Sequence, residues 1–227
     1  MGIRNKYKVK SIDSFQCKDW LLNKHYAKRM PPIEYAFGLF DENNILFGVI
    51  TFATPVSSNL RGIFNNIFKV LELNRLCIND GLERNCLSFL VSKSLKMLPM
   101  PLVIISYADT SQNHHGYIYQ ATNFIYTGLS AKRTDWKIKG MEHLHGATIA
   151  DISRGKENRA EYMRNRFGDD FYLEDSARKH RYFMFLGRKQ QVNKMMELLP
   201  YKIEPYPKGD NKRYDTSYNP NVQIGLF

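Results

Sequence analysis

Residues 102–105 are Leu102, Val103, Ile104 and Ile105, four aliphatic side chains in a row, and they run directly into Ser106-Tyr107-Ala108-Asp109. A strand with one wet face alternates apolar and polar residues, whereas an unbroken aliphatic run needs cover on both faces. That requirement points to a layered α/β domain with this strand near its centre. Asp109, at the C-terminal end of the strand, stands where open α/β sheets receive their ligands. Asn113-His114-His115-Gly116 follow. The apolar and aromatic positions 117, 118, 121, 124 and 125 then fit a helix lying back on the sheet.

The rest of the chain supplies the layers. Residues 14–24 predict a short helix with Ser14 as N-cap, stopped by Pro31-Pro32. Two β-rich runs, 35–40 and 45–52, flank Asp41-Glu42-Asn43-Asn44 and predict a hairpin. Residues 68–78 predict a strand and 85–98 a helix with Leu87, Leu90, Val91, Ser94, Leu95 and Leu98 on one face. Later apolar runs predict strands at 124–129 and 182–186 and a helix at 190–199. The expected class is α/β, or α+β: a mixed central sheet with helices on both faces. Residues 1–200 are expected as a single domain, with 132–177 as a basic helical insertion before the last strand and 201–227 as a Pro-, Asn- and Tyr-rich tail.

Charge is unevenly placed. Residues 1–30 carry eight Lys and Arg against two acids, 31–129 carry six against seven, and 130–191 carry fourteen against nine. A neutral centre between basic flanks suggests a polyanionic partner, a nucleic acid, gripped around a catalytic module. The plain alternative is a well-solvated surface. Lys28 and Arg29 lie in the first flank. In the second, Arg154, Lys156, Arg159, Arg164 and Arg166 alternate with Tyr162 and Phe167, a mixture suited to phosphate contact and base stacking. The alternative there is an exposed helix with Glu157 and Glu161 as partners. The three cysteines, Cys17, Cys77 and Cys86, form no CxxC pair and point to reduced thiols in a cytoplasm. No apolar run reaches the roughly 18 residues of a membrane span, and the basic N-terminus carries no signal-peptide apolar core.

Several residues suit chemistry, each against a structural alternative. Asp109 is either an active-site carboxylate or the cap of the turn that follows it. His25 and Tyr26 end a helix, where a histidine is also stabilised by the helix dipole. Tyr119 is either a proton donor or core packing, and Tyr117 is core or base-stacking. His114-His115 and His143/His145 invite a metal reading, without a cysteine or carboxylate at ligand spacing to complete one. His180 is expected at a strand edge.

Lys24-His25-Tyr26-Ala27-Lys28-Arg29, Phe37-Gly38, Phe47-Gly48, Glu72-Leu73-Asn74-Arg75-Leu76, Tyr107-Ala108-Asp109, Ile118-Tyr119-Gln120-Ala121-Thr122-Asn123-Phe124 and Lys179-His180-Arg181-Tyr182 together resemble the Mom family of phage and prophage enzymes that modify adenine in DNA. The element order resembles the GNAT acyltransferase fold. The resemblance implies a transferase that places a carbamoylmethyl-type group on adenine N6 and so evades restriction, acting in the host cytoplasm. It implies Asp109, His25, Tyr26 and Tyr119 as catalytic residues. His25, Tyr26 and Asp109 then either hold a redox metal such as iron or act as acid and base without one. It also implies acetyl-CoA as cofactor, with Arg75, Arg84, Asn85 and Ser88 as contacts, although only Gly81 remains of the usual glycine-rich phosphate loop. The other classes are a conventional GNAT N-acetyltransferase acting on protein or small amines, and a non-catalytic DNA-binding accessory.

Overall fold

The computed structural model describes residues 2–144, 146–209 and 220. His145 of the histidine cluster, and the tail from 210 onward apart from Pro220, lie outside the described residues. Two compact units emerge: Met1–Leu129 with Lys179–Phe227, and Ser130–Arg178.

The first unit opens with α1 (Ile3–Lys6) and β1 (Lys8–Ser11). A helical stretch follows, tight over Ser14–Cys17 and wide over Trp20–Lys24. Its N-cap is Asp13 and not the expected Ser14; Gln16 reaches back to the Asp13 amide at 3.1 Å. Then come β2 (Tyr35–Phe40), β3 (Leu46–Ala53), α2 (Ser58–Arg61), β4 (Val70–Ile78), α3 (Cys86–Met97) and β5 (Leu102–Asp109). After β5 stand α4 (Tyr117–Ala121) and β6 (Ile125–Leu129). The second unit holds β7 (Arg133–Ile138), α5 (Gly146–Asp151), α6 (Arg159–Phe167) and β8 (Phe171–Ser176). The chain re-enters the first unit as β9 (Lys179–Leu186) and α7 (Lys189–Glu197).

Seven strands form one mixed sheet in the order β1-β2-β3-β4-β5-β9-β6, and the fold is the expected mixed α/β layering. The aliphatic run behaves as its composition requires. Leu102 and Ile104 pack with α3 and α4 residues such as Leu90, Leu95 and Tyr119 on one face. Val103 and Ile105 pack with Phe64, Phe183, Phe185 and Met195 on the other. Each fully buried aliphatic side chain contributes about 1.5–3 kcal/mol relative to exposure, so this strand anchors both layers.

Two expectations are corrected. His180 is not at an edge: β9 lies between β5 and β6, and His180 is buried with Nδ1 2.8 Å from the Tyr126 hydroxyl. The strand starts three residues before its apolar run because pairing with β5 supplies the backbone partners that polar residues need. The second unit is not purely helical. It contains the antiparallel β7–β8 pair, with a small core of Ile138, Ile149 and Met163. No helix among the described residues is long and apolar enough to cross a membrane, and all three cysteines are buried free thiols.

Candidate active site

β4 and β5 are parallel neighbours, but they pair only from Val70↔Val103 to Leu73↔Ser106. Beyond that point β4 continues with β3 as far as Ile78, and β5 continues with β9 as far as Asp109. Two polar side chains mark the parting. The Ser106 hydroxyl donates to the Leu73 carbonyl at 2.9 Å. Asn74 is skipped in the pairing with β3, where Thr51 faces Arg75 and Phe52 faces Leu73. Its side chain accepts from Thr51 at 2.6 Å and donates to the Pro32 carbonyl at 2.9 Å. A bulge of this kind redirects a strand, and the amide is satisfied outside the β4–β5 ladder.

The opening is a cleft of about 750 Å³. His25, Tyr26, Arg75, Tyr107, His114, Tyr119 and Lys179 line it, together with the turn at 81–88. Gly116 starts α4 at the cleft with φ +73, and a Cβ there would fall 2.4 Å from the Tyr182 ring, so only glycine fits.

The electrostatics of the site are set by burial. His25 stacks on Tyr26 at 4.5 Å between ring centroids, and His114 meets Tyr26 edge-on at 6.0 Å. Burial, then the Arg75 and His114 charges, push His25 down to about 3, so it is neutral at physiological pH. Burial, with the Asp109 charge added, pushes the Tyr26 phenol up to about 12. Tyr119 is pushed up to about 12 by burial, against a hydrogen bond with Ser106. Both phenols therefore stay protonated at physiological pH. Asp109 differs. Burial would raise it, but the Ser111 hydroxyl and amide and the Lys179 ammonium outweigh that and hold it below the usual carboxylate range. Its Oδ1 accepts from the Ser111 amide at 3.0 Å and hydroxyl at 2.7 Å, and its Oδ2 lies 3.0 Å from Lys179 Nζ.

A model of the Mom protein family matches residues 6–208. The chain belongs to the Mom protein family. One relative, the methylcarbamoylase mom of Escherichia phage Mu, is 28% identical over 209 residues, covering 88% of this chain and 83% of that protein. Among solved structures, a GNAT-family acetyltransferase from Bacillus cereus ATCC 10987 is similar with a TM-score of 0.41 and 16% identity, over 80% of this chain and 99% of that one. The spermidine/spermine N-acetyltransferase SpeG of Vibrio cholerae has a TM-score of 0.45 and 8% identity, over 86% of this chain and 98% of that one.

The residues singled out in this Mom-family sequence fall into three groups. His25, Tyr26 and Tyr119 line the cleft together. Asp109 is their neighbour: its charge acts on Tyr26, while its oxygens are turned to Ser111 and Lys179. It is the cap of the following turn, the structural alternative for this carboxylate. Arg75, expected with the cofactor, stands with His25 and Tyr26; its guanidinium donates to the carbonyls of Asn74 at 2.7 Å and Arg29 at 3.5 Å. Arg84, Asn85 and Ser88 lie in the turn before α3 and in its first helical turn. Asn85 takes the left-handed conformation, φ 76, that a glycine-rich loop would assign to glycine. The Ser88 hydroxyl is turned back to the Asn85 carbonyl at 3.0 Å. Cys86, Leu87 and Ser88, the first turn of α3, line the cleft, and the Cys86 amide donates to the Glu83 carbonyl at 3.2 Å.

The proposed metal ligands do not fit a metal as they stand. The Ala27 amide donates to His25 Nδ1 at 3.1 Å, which places the proton of the neutral ring on Nε2. A metal-binding histidine does the reverse: its second nitrogen donates outward. Asp109 meanwhile already holds an ammonium. Among the described residues, no group of three or more His, Cys, Asp or Glu is placed to bind a metal. The two consecutive histidines separate, His114 to Tyr26 and His115 to within 5.5 Å of the His180 ring. His143 is exposed in the second unit.

The basic residues also divide. Arg159 turns into its own unit, donating to Ser153 and Ala150 and lying over Trp136. Arg154 pairs with Asp151 at 2.7 Å. Lys156 lies over the Tyr162 ring at 5.0 Å; Arg166 donates to the Tyr162 hydroxyl at 2.8 Å and lies over Phe167. Arg164 is exposed on α6, and Lys28 takes a left-handed turn, φ 40, after His25. One cleft residue that sequence reasoning did not single out is Lys179. Its signal lay in the Lys179-His180-Arg181-Tyr182 motif, but its place at Asp109 follows only from the β5–β9 register.

Proposed function

We propose that this Mom-family protein is a DNA modification enzyme that adds a carbamoylmethyl-type group to the N6 amine of adenine, within the cytoplasm where phage DNA meets restriction. The family match across residues 6–208 carries this reading, with support from the methylcarbamoylase relative and from the cleft between β4 and β5. The substrate is double-stranded DNA, and the target base leaves the stack to reach the cleft. Lys28, Arg29, Lys156, Arg164 and Arg166 are the cations offered to its phosphates.

Acetyl-CoA is the proposed cofactor and would supply a two-carbon unit when bound; joining its methyl carbon to N6 additionally requires a two-electron oxidant, and the carbamoyl group requires a nitrogen donor. The first turn of α3, with Arg84, would hold its phosphates. The chain's own residues form a donor-rich site. The adenine amine is a weak nucleophile because its lone pair is delocalised into the ring, so positioning matters. In this reading the Tyr26 and Tyr119 phenols and the neutral His25 ring orient the base and the donor group through hydrogen bonds. Asp109 supplies the balancing negative charge behind them. No step is routed through iron, since the His25 and Asp109 geometry opposes it.

The experiment is nucleoside mass spectrometry of DNA from cells expressing the protein. The expected result is a modified adenine nucleoside, lost in Asp109→Asn while circular dichroism shows an unchanged fold. Unmodified DNA together with an acetylated protein or amine would replace this reading by a conventional N-acetyltransferase.

A further inference from the structure

The first residues of β9 bring to the cleft a cation for which the mechanism so far has no use. Lys179 sits directly opposite Asp109 in the antiparallel register. Its Nζ is 3.0 Å from Asp109 Oδ2, and its side chain is 42% exposed and lines the cleft with Tyr107 and His114. The carboxylate holding it is fixed from the other side by the Ser111 amide and hydroxyl on Oδ1. Ser111, Asp109 and Lys179 thus form a chain ending in an ammonium at the cleft. An unrestrained lysine loses much rotamer freedom when it binds a ligand; one already clamped loses less. The two partners differ: the Asp109 side chain is 12% exposed and already held by Ser111, whereas the ammonium end is open to the cleft.

We propose that Lys179 is a phosphate-binding residue of the cleft, held by Asp109 to receive a phosphodiester of the DNA strand next to the target adenine. This rests on the DNA reading above. The chemistry recognised is a phosphate, which either DNA or the cofactor could bring. Position favours DNA. Lys179 is tied through Asp109 to the end of β5, where the His114 amide bonds the Asp109 carbonyl and the Asp109 charge acts on Tyr26, whereas the turn at 81–88, proposed for cofactor phosphates, follows β4. An extruded base carries a phosphodiester on each side, and a fixed ammonium neutralises one of them.

The test uses the full chain and an adenine-containing duplex, with binding followed by fluorescence anisotropy over a range of salt. For Lys179→Met the slope of log K against log salt is expected to become shallower by about 0.9, the loss of one phosphate contact. Lys179→Arg is expected to restore it, and acetyl-CoA affinity by calorimetry is expected to be unchanged. Lys179→Gln is a second neutral variant if the first fails to fold. An unaltered slope overturns the proposal. So does an unaltered slope with weakened acetyl-CoA binding, which assigns Lys179 to the cofactor. A wild-type protein that binds no duplex at low salt instead removes the DNA reading on which the proposal rests, so the two failures are distinguishable.

Discussion

β4 and β5 are one structure over half their length and two over the rest. Where they pair, from Val70↔Val103 to Leu73↔Ser106, the side chains are almost all aliphatic and buried. Where they part, the residues are Asn74 and Arg75 on one strand and Tyr107 and Asp109 on the other. The difference shows how a sheet opens into a cleft. Each strand keeps its outer neighbour, β3 beside β4 and β9 beside β5, while the Ser106 hydroxyl bonds the Leu73 carbonyl at the junction and the Asn74 side chain is satisfied by Thr51 and Pro32. The paired half holds the layers together, while the parted half holds polar side chains at fixed positions around a cleft. Mutations should therefore separate stability from activity along the same two strands.

The largest effect is expected in the paired half. Ile104→Ala should cost about 2–5 kcal/mol of unfolding free energy by denaturant titration, since Ile104 is fully buried between the layers. A smaller cost would mean that the paired half does not anchor the sheet.

In the parted half, Tyr119→Phe removes a hydroxyl and leaves the ring packed on Phe124 and Tyr182. Stability is expected to fall by about 1 kcal/mol, one hydrogen bond. Adenine modification, read by mass spectrometry, is expected to fall about 100-fold, the lower range for a lost proton donor. Equal losses in both measurements would make Tyr119 a core residue only.

His25 gives a pH signature. Its folded value, about 3, lies below the ordinary 6.5, so between those values the unfolded chain binds the extra proton. Stability therefore rises with pH across this window and is lost as pH falls, by up to about 1.4 kcal/mol per unit from this group. His25→Gln should flatten that slope in denaturant titrations at several pH values. An unchanged slope would mean that His25 titrates normally.

The last contrast is between two arginines of the second unit, and its smallest effect is at Arg164. Arg159→Ala should lower the melting temperature through its lost bonds to Ser153 and Ala150 and its stacking on Trp136, a loss of about 1–2 kcal/mol. Arg164→Ala should leave melting unchanged and make the salt slope of DNA binding shallower by about 0.9. Reversed outcomes would exchange their roles.

Much of this molecule was legible from its residues because the signals are local. The aliphatic run at 102–105, the hairpin around Asp41 and the apolar face of α3 each bury what their periodicity requires. β1 and the β7–β8 pair escaped notice because short polar strands carry no such periodicity; they exist through their partners. The same applies to His180, whose burial depends on the strands to either side.

The sequence by itself determined a layered α/β domain, its family, and the residue types at the cleft, since motifs and burial patterns are written along the chain. Only the tertiary structure decided where β4 and β5 part, which nitrogen of His25 carries the proton, and that Asp109 holds Lys179. These follow from register and hydrogen bonding between segments far apart in the chain, including the β5–β9 pairing that sets Lys179 opposite Asp109. A carboxylate's chemistry depends on the partner that the fold brings to it.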